Sequence, residues 1–485
     1  MMSNVPNVKT VASLSPEVSR IHENLPLVAA LLGGTKAMRL AGESLLPRFA
    51  REEKDDYAAR LARSYLFPAY QRTVTTLSAK PFSRPLTLGD DVPARMKPWL
   101  ENVDLQGRNL HAFASECFAH AMGRGFDGIL VEYPRVPENT DPTKPLSQAE
   151  EERRNIRPYL VRIGAERLIG WRAKFLNGVW TLTQVRFFED FSEDDGEYGT
   201  KTARQIKVIN EKTFEVHREG ADGKWAIVEQ GANTLGVVPF VPVYGKREAF
   251  MVGTPPLLEL AQMNVAHWQS SSDQTNILHI ARVPILAAVG VDKAYELVVG
   301  ASTATKLPMG ADLKWVEVTG ASIQAGADDI KAIEERMRQI GAELLVLAPG
   351  NVTASQVLTE NAIGACALSQ MAEIFEDSLD LVLSFMAKWA RIESGGGHVK
   401  LFNQYAAASL AEASASLLKE SASAGLISSE TYYAELQRRG IVAPDVTWEQ
   451  ERDRIASEGP SLPTDPLDDG DETKGKPQKK AGQEQ

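Results

Sequence analysis

Gly123-Arg124-Gly125-Phe126-Asp127-Gly128 has the glycine spacing of a turn that cradles a dinucleotide pyrophosphate. That chemistry needs a strand before the glycines and a helix after them, so that the phosphates meet a helix N-terminus. Here a helical pattern comes first and a strand pattern follows. The order is reversed, and the six residues read as a helix-to-strand turn. Metal chemistry fares no better. The histidines are His22, His111, His120, His217, His267, His279 and His398, and no pair has H-E-x-x-H spacing. His267 and His279 would stand about 18 Å apart on one helix, too far for one ion. Cys117 and Cys366 form no Cys-x-x-Cys pair and read as buried, reduced thiols. Gly245-Lys246-Arg247 lacks the hydroxyl residue that a phosphate-binding loop places on magnesium. No G-x-S-x-G nucleophile turn occurs. Acidic Asp465–Glu472 lacks the ligand spacing and closing glutamate of a calcium loop. The expectation is therefore no catalytic residue, no metal, no cofactor and no enzyme.

The chain has 485 residues, of which 43% are hydrophobic and 24% charged. That is ordinary globular composition at a length suited to about three domains. It excludes a collagen, a wholly disordered chain and a disulfide scaffold. Net charge is −11, the wrong sign for a protein that wraps DNA tightly in a basic groove. Met1–Pro16 shows no basic stretch followed by an apolar core, so no signal peptide is expected. The longest apolar runs, Leu25–Leu32 and Val283–Val289, are far shorter than the roughly 20 residues of a membrane helix.

The elements that would position any site are legible in outline. Glu52–Leu77 is helical in pattern, with Pro68 as its break. A second helix is expected over Leu105–Met122. The period then changes, and Gly128–Pro134 reads as a buried strand. Strands are expected at Tyr159–Ile163, Val179–Phe188, Gln205–Ile209, Thr213–His217, Trp225–Glu229 and Val237–Tyr244. From Thr254, a candidate cap with Pro255 and Pro256 in the first turn, the chain becomes helical again. The run Ser270-Ser271-Ser272-Asp273-Gln274-Thr275-Asn276 either ends that helix or marks one lying between wet neighbours. After Pro284 come strands at Ile285–Val291 and Leu313–Val318, with a short helix over Asp292–Val299. A helix opening at Asp328 or Asp329 carries Ile330, Ile333, Met337, Ile340 and Leu344 on one stripe, with Lys331, Glu334, Glu335 and Arg338 off it. Leu347–Asn351 is a turn, and Thr353–Gln356 fits a capping box. The helix it opens would run to about Ile392, with Gly364 as a kink and Gly395-Gly396-Gly397 as its end. Residues 400–458 read as further helices broken at Gly425 and Gly440. Gly459–Gln485 lacks aromatic residues and is expected to be a disordered tail.

That order of elements resembles the tailed-bacteriophage portal proteins, in the group long known as a domain of unknown function. The likeness covers about residues 30–458. It is carried by Tyr65–Phe82, by Gly123–Pro134, by Arg157–Leu160 with Glu166–Trp171, by Pro239–Tyr244 with Pro255–Ala261 and Asn264–Asp273, and by Gly310–Glu317. A glutamate is expected where this chain has Gln356.

The resemblance implies an α+β, mainly α, ring-forming portal fold. Residues 1–254 would be a wing, 255–282 a first stem helix, 283–326 a clip and 327–347 a second stem helix. A tunnel loop (348–355), a long kinked helix (356–395), C-terminal wing or crown helices (396–458) and the tail (459–485) would follow. It also implies a ring of twelve copies at one capsid vertex. Double-stranded DNA would pass through its channel during packaging and ejection. The partners would be the terminase large subunit, capsid and scaffolding proteins and a head–tail adaptor, and the setting the virion, with the host cytoplasm during assembly. Lys331, Glu335 and Arg338 would face the channel, together with loop residues Pro349, Gly350, Asn351, Thr353 and Ser355. Ser270, Ser271, Ser272, Asp273, Gln274 and Asn276 would lie between subunits of the stem. Two alternatives remain open at this level: another phage head structural protein, such as a head-completion or minor capsid protein, and an enzyme without a recognisable motif.

Overall fold

Prolines and short polar caps set the first helices. Ser15 accepts a hydrogen bond from the Val18 amide, and Pro16 occupies the first turn of α1 (Pro16–Glu23), where its missing N–H is harmless. Helices α2 (Leu25–Leu32), α3 (Gly34–Ala41), α4 (Lys54–Arg63) and α5 (Ala69–Ala79) follow. The break between α4 and α5 covers Ser64–Pro68: Pro68 stands at its end, as the sequence predicts, but α4 stops at Arg63, well before the proline. The computed structural model describes residues 9–134, 148–220, 222–282, 285–290, 309–316, 320–343, 366–403, 418–438, 442 and 446–458. They divide into two units, Met1–Ala406 and Ala407–Gln485.

Strand β1 (Thr87–Leu88) and the short α6 (Lys97–Leu100) lead to α7 (Leu110–Arg124). Asn109 caps α7 by accepting from the Ala112 amide at 2.9 Å. The helix therefore starts five residues later than the sequence suggests, because Leu105 and Gly107 adopt positive φ in the loop before it. Gly125, at φ +88°, ends α7 in the left-handed conformation. Strand β2 (Phe126–Glu132) starts at once and is buried along nearly its whole length.

The three glycines of the nucleotide-like string thus have packing roles. Gly123 lies against Leu32 and Val74. Gly125 is a C-cap whose absent Cβ would fall 2.5 Å from the backbone at Thr254–Pro255. Gly128 sits under the Phe240 ring.

After α8 (Gln148–Arg153) come β3 (Tyr159–Gly164), β4 (Leu168–Leu176), β5 (Val179–Asp195), β6 (Gly199–Asn210), β7 (Thr213–Glu219) and β8 (Trp225–Ala232). The last five form an antiparallel meander in order β4-β5-β6-β7-β8. β4 is absent from the sequence-based reading. β5 and β6 run well past their predicted ends, in register from Gln184↔Asn210 to Asp195↔Gly199. Their outer halves are largely exposed, so pairing rather than burial extends them, and hydropathy alternation fades there.

Strands β9 (Phe240–Tyr244), β10 (Lys246–Ala249) and β11 (Val252–Thr254) close this region. β9 is shorter than predicted because Val237–Pro239 remain outside it. The order β3-β2-β9 places β2 centrally, and Pro242 is tolerated because β9 is an edge strand.

Helix α9 (Leu258–Ala281), the antiparallel pair β12 (Ile285–Val289) and β13 (Asp312–Val316), and α10 (Gly320–Glu343) follow. Next are α11 (Ala367–Trp389) and β14 (Val399–Lys400), which pairs with β1. The second unit contains α12 (Ser429–Arg438) and α13 (Trp448–Glu458). Tyr433 is buried there, its ring tilted against Trp448 and its hydroxyl donating to the Val446 carbonyl at 3.2 Å.

The core of the first unit lies where α7 and α11 cover the β3-β2-β9 sheet. The Phe118 and Phe375 rings meet with centroids 5.5 Å apart, and Phe82 packs edge-on against both. Phe118 and Phe375, both fully buried, each contribute roughly 1.5–3 kcal/mol by leaving water. Trp389 Nε1 donates to the Val131 carbonyl at 3.2 Å, tying the end of α11 to the central strand. The architecture is mixed α and β, as expected from the sequence.

Candidate functional site

The polar run of α9 is the most unusual stretch of the chain, and the structure shows why it is polar. α9 continues through Ser270–Asn276 without interruption. Its start differs from expectation. Thr254 ends β11 and donates its hydroxyl to Glu248 at 3.0 Å, so it caps nothing, and Leu258 is the first helical residue.

Polar side chains on α9 recur at helical spacing, and most of them meet a polar partner. Buried Asn264 accepts from the Tyr70 amide and donates to the Phe67 carbonyl, both at 2.9 Å. Gln269 donates to the Leu45 carbonyl at 3.0 Å. Ser270 is half-buried and Ser271 is buried, its carbonyl accepting from the Thr275 hydroxyl at 2.8 Å. Ser272, 2% exposed, shares a 2.8 Å hydrogen bond with Ser64. Asn276 accepts from Arg63 at 3.2 Å.

Asp273 lies 3.5 Å from Arg60. Burial raises its carboxyl above the ordinary range, and Arg60 partly offsets that. Arg60 is itself 2% exposed. It donates to both carboxylate oxygens of Glu52, at 2.7 and 2.8 Å, and to the Pro47 carbonyl at 2.9 Å. Its guanidinium lies 4.2 Å from the Phe49 ring centre. The hydrogen bond from Arg60 holds the Glu52 carboxyl below its ordinary pKa. Charge pairing and stacking together make a desolvated arginine tolerable.

α10 returns antiparallel beside α9. Gln274 donates to the Ile323 carbonyl at 2.8 Å, and lower on α9 buried His267 meets Glu334 at 3.4 Å. α10 begins at Gly320, eight residues before the predicted start at Asp328. Gly320 and Gly326 weaken the helix-forming tendency of its first two turns. Tertiary contact supplies what propensity lacks: Gly326 lets Gln274 approach so closely that a Cβ there would clash with its side-chain amide.

On the inner stripe Met337 is 3% exposed, and Ile333 and Ile340 pack on the core. Lys331, Glu335 and Arg338 are exposed and pair only locally. Lys331 lies 3.9 Å from Asp328, and Arg338 donates to Glu335 at 2.8 Å. Pro349, Gly350, Asn351, Thr353 and Ser355 lie outside the described residues, as do the Asp292–Val299 helix, Gly364, Gly440 and the Gly459–Gln485 tail.

Four of the six sequence-predicted stem residues, Ser272, Asp273, Gln274 and Asn276, thus have partners within the chain. Arg60 and Ser64 were not singled out by sequence reasoning, since nothing local marks them. Asn264, Trp268, Ser272 and Asn276 share one face at steps of four, and this was the available signal. Among the described residues no group of three metal-binding side chains occurs, and no helix is long and apolar enough to cross a membrane. The arrangement is a helix–strand pair–helix unit clamped by polar contacts to the body of the first unit.

A family model described as a domain of unknown function (DUF4055) matches residues 256–390, less than a third of the chain. The match runs from just before α9 to just after α11. No curated protein matches the chain. One similar solved structure is the "Neck of native GTA particle computed with C12 symmetry", at 13% identity and TM-score 0.41, covering 82% of this chain and 98% of that one. The "Virion of native gene transfer agent (GTA) particle" is similar at 14% identity and TM-score 0.37, with 82% and 98% covered. At such identities and scores these likenesses carry no assignment of function.

Proposed function

We propose that the chain is a structural subunit of a tailed-phage-type particle and, within that class, its portal: a ring at one capsid vertex through which DNA is packaged and ejected. The observation that carries this reading is the unit from Leu258 to Glu343. An unbroken helix of 24 residues leads into an antiparallel strand pair, and a second 24-residue helix returns beside it. That is the stem–clip–stem order which the sequence resemblance implies. In this reading α9 and α10 are the stem, and the β12–β13 pair belongs to the clip that meets the packaging motor and later the tail adaptor.

The electrostatics suit such a role. A ring of chains carrying −11 each repels phosphate on average, so DNA slides instead of binding at many points. Lys331, Glu335 and Arg338, exposed on α10 with mixed sign, would provide scattered contacts without a continuous basic stripe. The work is passage and docking, which needs no catalytic residue and no cofactor.

The test is electron microscopy of the purified full-length protein, with symmetry counted in end-on views. Rings with a central hole and twelve copies are expected, and thirteen are acceptable for a ring assembled without its capsid. A compact dimer or trimer without a hole would overturn the reading in favour of another head protein or an enzyme.

A further inference from the structure

The β4–β5 hairpin presents two unlike faces. On one, Trp171, Phe175 and Trp180 gather around Phe250, with Trp180 stacked on it at 6.1 Å and 22°. Trp171 is half-buried there, while Phe175 and Trp180 are 61% and 53% exposed. Alternation along the strands puts Arg172, Lys174, Leu176 and Val179 on the other face. All four are exposed, Leu176 by 49% and Val179 by 64%. No Asp or Glu occurs from Leu168 to Phe188. The hairpin is thus a basic, apolar surface on an acidic chain.

α11 carries the complement. Its inner face packs on β2, β9 and β14. Its outer face repeats at steps of four, three and four through Gln370, Ile374, Asp377 and Leu381, with Glu373 beside it. Ile374 is 45% and Leu381 43% exposed, an unusual position for aliphatic side chains on a helix otherwise folded into the core. Among the described residues Arg172, Lys174 and Asp377 form no ion pair. The dimensions agree: Arg172 to Leu176 spans about 13 Å of strand, and Ile374 to Leu381 about 10 Å of helix.

We infer that the hairpin face of one copy docks on the outer face of α11 in a second copy, with Lys174 and Arg172 against Asp377 and Glu373 and the aliphatic pairs between them. Two different surfaces meet, so the contact is head-to-tail, and it makes a ring where its rotation closes and an open filament where it does not. A rigid apolar centre with charges at its rim is the usual anatomy of such a contact. The inference rests on the ring reading above and names the surface that would build it.

The test is a charge swap in the full chain, read by light scattering and electron microscopy. Lys174→Glu is expected to lower the assembled fraction about tenfold at fixed concentration, with thermal unfolding of the unassembled chain unchanged because Lys174 is exposed. Adding Asp377→Lys to that variant is expected to restore assembly. Rings unaffected by Lys174→Glu, or loss not restored by the second change, would overturn this contact and leave the ring reading standing. A wild-type chain that stays monomeric at all concentrations would overturn the contact. A swap-dependent assembly without a hole would support the contact and overturn the ring.

Discussion

Ser64 and Ser272 share a hydrogen bond of 2.8 Å inside the protein, although 208 residues of sequence separate them. Ser64 is the residue at which α4 ends, and its hydroxyl also reaches the Arg60 carbonyl at 2.9 Å. The pair fixes the last turn of α4 against the middle of α9. Arg60 and Arg63, four residues and one residue before Ser64, then meet Asp273 and Asn276. The polar run of α9 is the docking track for α4.

Arg60 is the centre of that track. Arg60→Met would leave Glu52, 7% exposed in its side chain, buried without its partner. The expected loss is about 3–5 kcal/mol, measured by chemical denaturation at pH 7. The pH dependence checks the cause. Because Arg60 depresses the Glu52 carboxyl, the pair's stabilisation is present above the ordinary carboxylate pKa and disappears as pH falls through the lowered value. Arg60→Met should remove that share of the acid-side loss. A variant as stable as wild type would show that solvent, not Arg60, satisfies Glu52.

Asp127 behaves in the opposite sense. It is fully buried on β2, 3.5 Å from Arg162, and burial pushes its carboxyl up to about 8. A carboxyl whose folded pKa is raised stabilises fully below its unfolded value, near 4. That stabilisation is lost progressively as pH rises towards 8. Stability measured from pH 4 to 9 should therefore fall less steeply in Asp127→Asn than in wild type. Identical slopes would mean that Asp127 is ionised in the folded protein at neutral pH.

Gly128 distinguishes packing from ligand binding. It occupies the middle of the central strand opposite Ile163 and Pro242. A Cβ added there would lie 2.1 Å from the Phe240 ring, and a ring wedged in a core has little room to retreat. Gly128→Ala is expected to cost about 1–3 kcal/mol through overpacking. Gly128→Ala with Phe240→Leu should recover part of it, as thermal unfolding would show. No recovery would place the cause in the strand backbone.

Much of the order of elements was legible from the sequence alone. Pro68 marks the gap between α4 and α5, standing just before the first residue of α5, where a missing N–H is harmless. Gly125 ends α7 because φ near +88° favours glycine. The reversed helix–strand order excludes a nucleotide turn for reasons that need no coordinates. What the sequence could not determine were features set by distant partners. β4 and the outer halves of β5 and β6 are held by ladder pairing, which leaves little hydropathy signal. The first turns of α10 exist because Gln274 reaches Ile323 from another helix. The polar run of α9 looked like a helix end or a wet surface. Only the tertiary structure supplied Arg60, Arg63 and Ser64 as partners, since hydrogen bonds between residues two hundred positions apart have no local pattern to read.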